Sequence, residues 1–164
     1  MEYSIKPKML GERRIIHYPQ KRIIGLYVAD MVEVRYFSKS GNTKAVADVI
    51  AAEAGVKAGS VEGADAVRAD ILFLGGALYA GSIAGKLKKF IKTLSPEHVG
   101  CVAVFSTTAN PNGAYAKIKK ALDKQGLRVL EHEFHCTGGQ AKSGEAARHA
   151  AVFANEVLEE TRRG

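Results

Sequence analysis

The chain has 164 residues, 46% of them hydrophobic, which is enough for one domain with a full core. No apolar run is long enough to cross a bilayer, so a soluble protein is expected, and Cys101 and Cys136 lack metal-type spacing. The net charge of +7 raises nucleic acid as a partner, but the bases are scattered apart from Lys86, Lys88, Lys89 and Lys92, which read as the solvated face of one helix.

Residues 1–30 read differently from the rest. Short apolar runs, Ile15-Ile16 and Ile23-Ile24-Gly25-Leu26, lie among bases, and a signal peptide is disfavoured by the short run and poor cleavage pattern. The expected layout is an N-terminal extension over 1–30, loosely packed or not part of the functional protein, followed by a domain over 31–164. Val32 to Tyr36 alternates β-branched and aromatic residues with Glu33 and Arg35, a strand pattern. A helix follows over 42–54 and stops at Gly55. Val56 to Val61 forms only a short, weak strand. Glu62 to Ala69 then leaves eight residues, where a parallel crossover usually takes about ten to twelve, so the second helix is stunted.

Asp70 to Gly75 is an apolar run typical of a strand buried on both faces, and Gly75 to Ser82 reads as a loop. Ile83, Leu87, Phe90, Ile91 and Leu94 mark a helix, Val99 to Phe105 another buried strand, and Ser106 to Asn112 a loop. Tyr115, Ile118, Ala121 and Leu122 mark the next helix. Arg128 to Cys136 alternates like a half-exposed edge strand, broken by Thr137-Gly138-Gly139, and Ala150, Phe153, Ala154, Val157 and Leu158 define a last helix. The fold class is α/β, a three-layer doubly wound sandwich on a five-stranded parallel sheet. Ligands of such sheets sit outside the carboxyl ends of the strands, where the loops after the first, third and fourth strands converge.

The first of these loops carries the clearest chemistry. Phe37-Ser38-Lys39-Ser40-Gly41-Asn42-Thr43 joins a strand to a helix, so unpaired helix-start N–H groups and the hydroxyls of Ser38, Ser40 and Thr43 point to a phosphate site. Gly41 allows close approach or positive φ. The alternative is a capped helix with spare hydroxyls. Tyr36, Ser38, Gly41 and Thr43 match Tyr-x-Ser-x-x-Gly-x-Thr, the phosphate-loop pattern of the flavodoxin family, and residues 31–161 resemble that family throughout. Arg35 departs from it, standing where the family prefers an apolar residue.

The resemblance implies strand order 2-1-3-4-5, for which flavodoxin is a standard example, and FMN as cofactor. Its phosphate is expected on Ser38, Lys39, Ser40, Gly41, Asn42 and Thr43. Ala77, Leu78, Tyr79, Ala80 and Gly81 fall where the family holds the flavin, with Tyr79 against its inner face and Ala80-Gly81 beside N5. Thr107, Thr108, Ala109, Asn110 and Gly113 supply the third loop, which lacks the family's usual outer aromatic. Tyr115 reads as a packing residue. Lys39 either neutralises the phosphate or points to water. The implied function is FMN-binding electron transfer with a redox partner protein or a small-molecule donor or acceptor.

The alternative is a small FMN-dependent oxidoreductase acting on a quinone or similar flat substrate. Leu78 to Ser82 also resembles menaquinone-dependent protoporphyrinogen oxidase, though more weakly. A second alternative is a flavin-free interaction protein on the same fold. No catalytic acid or base is identifiable; His135 and Cys136 are candidates by position alone. No metal site is expected. Cys101 should begin one strand and Cys136 end its neighbour, at opposite edges of the sheet, so free thiols and a cytoplasmic location are expected. A nucleotide-hydrolysing P-loop and an aspartate-bearing receiver both lack their residues.

Overall fold

The computed structural model describes residues 23–24, 27–28 and 31–163. The 1–30 extension therefore lies mostly outside the described residues; Ile23–Ile24 and Tyr27–Val28 form a small antiparallel ribbon. From there the order is β1 (Val32–Tyr36), α1 (Asn42–Ala54), β2 (Ala58–Ser60), β3 (Ala69–Gly76), α2 (Gly85–Ile91), β4 (Val99–Thr107), α3 (Tyr115–Asp123), β5 (Phe134–Cys136), α4 (Gly138–Ser143) and α5 (Ala147–Arg163). The sheet is parallel, in the order β2-β1-β3-β4-β5 expected from the resemblance.

Alternation along each strand divides the core into two layers. Val34, Phe73 and Phe105 face α1 and α5, where Ile50, Phe153 and Val157 meet them. Leu72, Leu74, Val102 and Val104 face α2 and α3, against Leu87, Phe90, Ile118 and Leu122. Each fully buried side chain of this kind contributes about 1.5–3 kcal/mol. Helix α1 has the expected bounds because a left-handed glycine stands at each end, Gly41 with φ 90° and Gly55 with φ 70°.

The second crossover carries no helix at all. Residues 61–68 are turn and irregular chain, from which Val61 and Val67 tuck against the sheet. Glu33 and Arg35 share that sheet face with Leu72 and Leu74, their register partners on β3. The two charged side chains remain partly exposed and pair with each other at 3.0 Å, with the Arg35 guanidinium also donating from Nε to Glu33 at 3.2 Å. Arg35 lies across Gly59 of β2, where an added Cβ would stand 2.4 Å from its guanidinium.

Three expectations about the elements need correction. Ile83 belongs to a short hairpin, Leu78–Tyr79 with Ser82–Ile83, so α2 starts at Gly85. Strand β4 extends through Ser106 and Thr107, both buried, where a loop was expected. The fifth strand is not continuous over 128–136: Val129 makes one bridge to Val102, and only Phe134–Cys136 rejoins the sheet. His132 leaves the ladder to place Nε2 2.9 Å from the Glu156 carboxylate and its ring edge-on to Phe153, both on α5. Thr137-Gly138-Gly139 ends the strand as expected and also opens α4. Thr137 accepts from the Gln140 N–H at 3.1 Å, and Gln140 accepts from the Thr137 N–H at 2.9 Å, a reciprocal cap.

Both cysteines are buried, and no disulfide joins them. Strands β4 and β5 are neighbours, so the cysteines are not at opposite edges but at opposite ends of adjacent strands. Thr107 pairs with Cys136 in register, which puts Cys101 six residues down the strand, about 20 Å away.

Candidate functional site

The three expected loops meet at the carboxyl edge of the sheet. In the first, Phe37 donates its N–H to the Gly75 carbonyl at 3.1 Å, which fixes the chain as it leaves β1. Ser38 Oγ then accepts from the Gly41 N–H at 3.0 Å. This bond holds the loop in the left-handed bend that starts α1. No side chain caps the helix, and no group among the described residues accepts from the N–H of Asn42, Thr43 or Lys44. Three adjacent donors at a positive helix end form a site for an anion.

Thr43 is placed differently from a simple exposed donor. It is 2% exposed, and its Oγ1 shares a 2.6 Å hydrogen bond with Thr107 Oγ1. The two hydroxyls join the first loop to the third across 64 residues of sequence. Asn42 also reaches a segment that sequence reasoning missed: a Cβ on Gly138 would stand 2.6 Å from its amide nitrogen. The signal for that segment was present in the Thr137-x-x-Gln140 cap.

In the second loop, Ala77 is buried while Leu78 and Tyr79 are half-buried strand residues of the hairpin. Ala80 and Gly81 form its two-residue turn with φ 51° and 77°. Positive φ at both positions suits the right-handed twist of the flanking strands. An alanine there is strained by about 1 kcal/mol or more. Ala80→Gly should therefore stabilise the protein by about 1 kcal/mol, raising the melting temperature by about 2–4 °C in calorimetry. A lower melting temperature would show that the turn is not strained.

Tyr79 meets Phe37 edge-on, with centroids 6.0 Å apart and planes at 82°. Lys39 is exposed, and its Nζ lies 4.3 Å from the Tyr79 ring centroid. Between these loops opens a cleft of about 640 Å³, lined by Ser38, Lys39 and Tyr79 among others. The Lys86–Glu62 ion pair stands at its rim. The size falls within the range of small-molecule sites.

The third loop folds on itself. Thr108 accepts from His135 Nε2–H at 2.9 Å and donates its own N–H to the Cys136 carbonyl at 3.0 Å. Gly113, at φ 65°, donates to the Asn110 carbonyl at 2.9 Å, while Ala109 and Asn110 stay exposed. Thr107 to Gly113 do not line the cleft; they join the first loop through the Thr43–Thr107 bond. His135 thus braces a loop. Burial pushes the Cys136 thiol up to about 11, so it stays neutral and non-nucleophilic near neutral pH. Tyr115 donates its hydroxyl to the Leu130 carbonyl at 2.8 Å, a packing role.

Among the described residues no helix is long and apolar enough to cross a membrane, and no acidic, cysteine or histidine group is arranged to hold a metal. The family model of the flavodoxin domain matches residues 34–145. No curated protein matches the chain in sequence. Among solved structures, a flavodoxin from the domain Archaea is 18% identical with a TM-score of 0.66, the match covering 80% of this chain and 98% of that one. A flavoprotein in complex with FMN from Lactobacillus acidophilus is 18% identical with a TM-score of 0.53, over 70% and 98% of the two chains. The apo form of an NADH:FMN oxidoreductase is 16% identical with a TM-score of 0.61, over 79% and 89%.

Proposed function

Since this chain belongs to the flavodoxin domain family, we propose that it binds FMN at the carboxyl edge of its sheet and exchanges electrons with a redox partner. One observation carries the reading. The uncapped start of α1 leaves the N–H groups of Asn42, Thr43 and Lys44 without an acceptor among the described residues, and it follows in the same loop on Ser38 and Lys39, which line the cleft with Tyr79. The donors suit a phosphate and the tyrosine ring suits the face of a flat heterocycle.

In this reading residues 38–43 hold the phosphate, residues 77–81 border the ring, and Thr107 to Asn110 with Gly113 back the first loop, to which the Thr43–Thr107 bond ties them. Lys39 leaves the Tyr79 ring when the flavin takes that place, and its charge then faces the phosphate. FMN supplies the redox chemistry when bound; the chain supplies anchoring, orientation and partial exclusion of water. Purified protein mixed with FMN should retain the flavin absorption bands through gel filtration at one FMN per chain. Protein that emerges colourless overturns the proposal.

A second reading, an FMN-dependent oxidoreductase for a flat substrate, is favoured by the absence of any aromatic residue over 106–112. One flavin face then stays open to a substrate. Turnover of NADH or NADPH with a quinone by the FMN-loaded protein separates the two readings.

The domain is further proposed to begin at Met31. Its N–H donates to Asp70 Oδ2 at 2.8 Å and its carbonyl accepts from the N–H groups of Asp70 and Ile71. Removal of residues 1–30 would leave an ammonium there, beside the same carboxylate. The shortened chain should keep its melting temperature and FMN affinity; a large fall in either would make the extension part of the fold.

A further inference from the structure

Helices α2 and α3 border a second groove, of about 360 Å³, that the flavin reading does not use. Lys88 and Lys92 stand on one side, Lys117, Lys120 and Lys124 on the other, and all five are exposed. The spacings place each set on one helix face. Ile83, Ile91 and Ala121 form an apolar floor between them.

The five charges share one groove whose lining holds no acidic residue. Lys44, Lys86 and Lys119 pair with Asp48, Glu62 and Asp123, yet none of the groove lysines makes an ion pair among the described residues. Like charges three and four residues apart on a helix repel. The helix dipole accounts for Lys88 and Lys120 in the last turns and for Lys92 and Lys124 at the ends. It does not account for Lys117, which is the third residue of α3 and so lies near the end that disfavours a cation.

We infer that this groove docks an extended acidic segment of a partner protein, with carboxylates against the lysine rows and apolar side chains on the floor between them. Nucleic acid fits the lining less well, because it contains no arginine and no aromatic ring to stack a base. A membrane fits less well because the apolar residues are recessed between charges rather than projecting. Ile83 belongs both to this groove and to the cleft, and it pairs in the hairpin with Leu78, next to Tyr79. A partner held here lies beside the flavin; that adjacency rests on the FMN reading, whereas the docking does not.

The test uses the full chain, with and without FMN, and a fluorescein-labelled peptide of about twelve residues alternating Glu and Leu. Anisotropy should show binding that weakens with added salt. The Lys88→Glu/Lys117→Glu/Lys120→Glu variant should bind about tenfold or more weakly, whereas Lys57→Glu/Lys142→Glu/Arg148→Glu, with the same change in charge, should bind within about twofold of the parent. Equal loss in both variants would reduce the effect to net charge and overturn the proposal. Failure of the parent to bind, or tighter binding of an oligothymidylate of equal charge or of phosphatidylserine vesicles, overturns it as well. Should the reversal variant fold poorly, the corresponding Lys→Gln triple serves, with a smaller loss expected in the same direction. Peptide binding without FMN uptake sinks the flavin reading alone; FMN uptake without peptide binding sinks this one.

Discussion

In parallel calorimetric titrations, FMN should bind this protein about 100-fold more tightly than riboflavin, which differs only in lacking the phosphate. A hydrogen bond to a charged group contributes about 1.5–3 kcal/mol, and two such bonds from the start of α1 already give about 3 kcal/mol, or about two decades in affinity. The proposed donors have no other partner among the described residues, so little is given up when an anion arrives. Ser38→Ala with Thr43→Ala should lower FMN affinity about tenfold or more while leaving riboflavin nearly unchanged. Ser38 holds Gly41 in its bend, and Thr43 joins the loop to Thr107. Thr43→Ser keeps the hydroxyl and should restore most of the loss. An equal fall for both ligands, or none for FMN, would move the phosphate elsewhere.

The largest effect on stability is expected at Gly75. A Cβ there would lie 2.0 Å from the ring of Phe105, its register partner on β4. Phe105 is fully buried, so the ring has no solvent-side space to move into. Overpacking of this kind costs about 1–3 kcal/mol, or more where nothing yields. Gly75→Ala should therefore lower the melting temperature by about 5–10 °C. Gly76→Ala should cost less, because its Cβ meets the flexible end of Leu87 at 2.6 Å. Phe105→Leu makes room, so the Gly75→Ala/Phe105→Leu pair should lose less than the sum of its parts. Strict additivity would mean that the ring is not what excludes the methyl group.

The sequence made legible those features that depend on neighbours along the chain. Gly41 and Gly55 bracket α1 at its observed ends, and the eight residues from Glu62 to Ala69 were too few for a full second helix, as the irregular chain over 61–68 shows. The strand break at Thr137 was read correctly, but the equally local reciprocal cap with Gln140, which starts a helix there, was not. Other features depend on distant partners and leave no local pattern. His132 leaves the fifth strand for glutamates on α5. Lys39 turns to a ring 40 residues away, and Thr43 finds a hydroxyl 64 residues away. At the candidate site, the loops and their meeting edge could be read, but the bonds that connect one loop to another could not.

The two margins of the sheet, β2 and β5, are three residues each. On one of them the Arg35 guanidinium lies across Gly59, at the spot where a bare edge would be flattest. A foreign strand laid against either margin gains only two or three rungs of backbone pairing and, along β2, meets a charge that holds water. Ordered aggregation needs a longer and drier template than that. The long apolar strands β3 and β4, which would make such a template, are kept inside the sheet, β3 between β1 and β4, and β4 with its outer side met by β5 at Phe105–Thr107 and by Val129 at Val102.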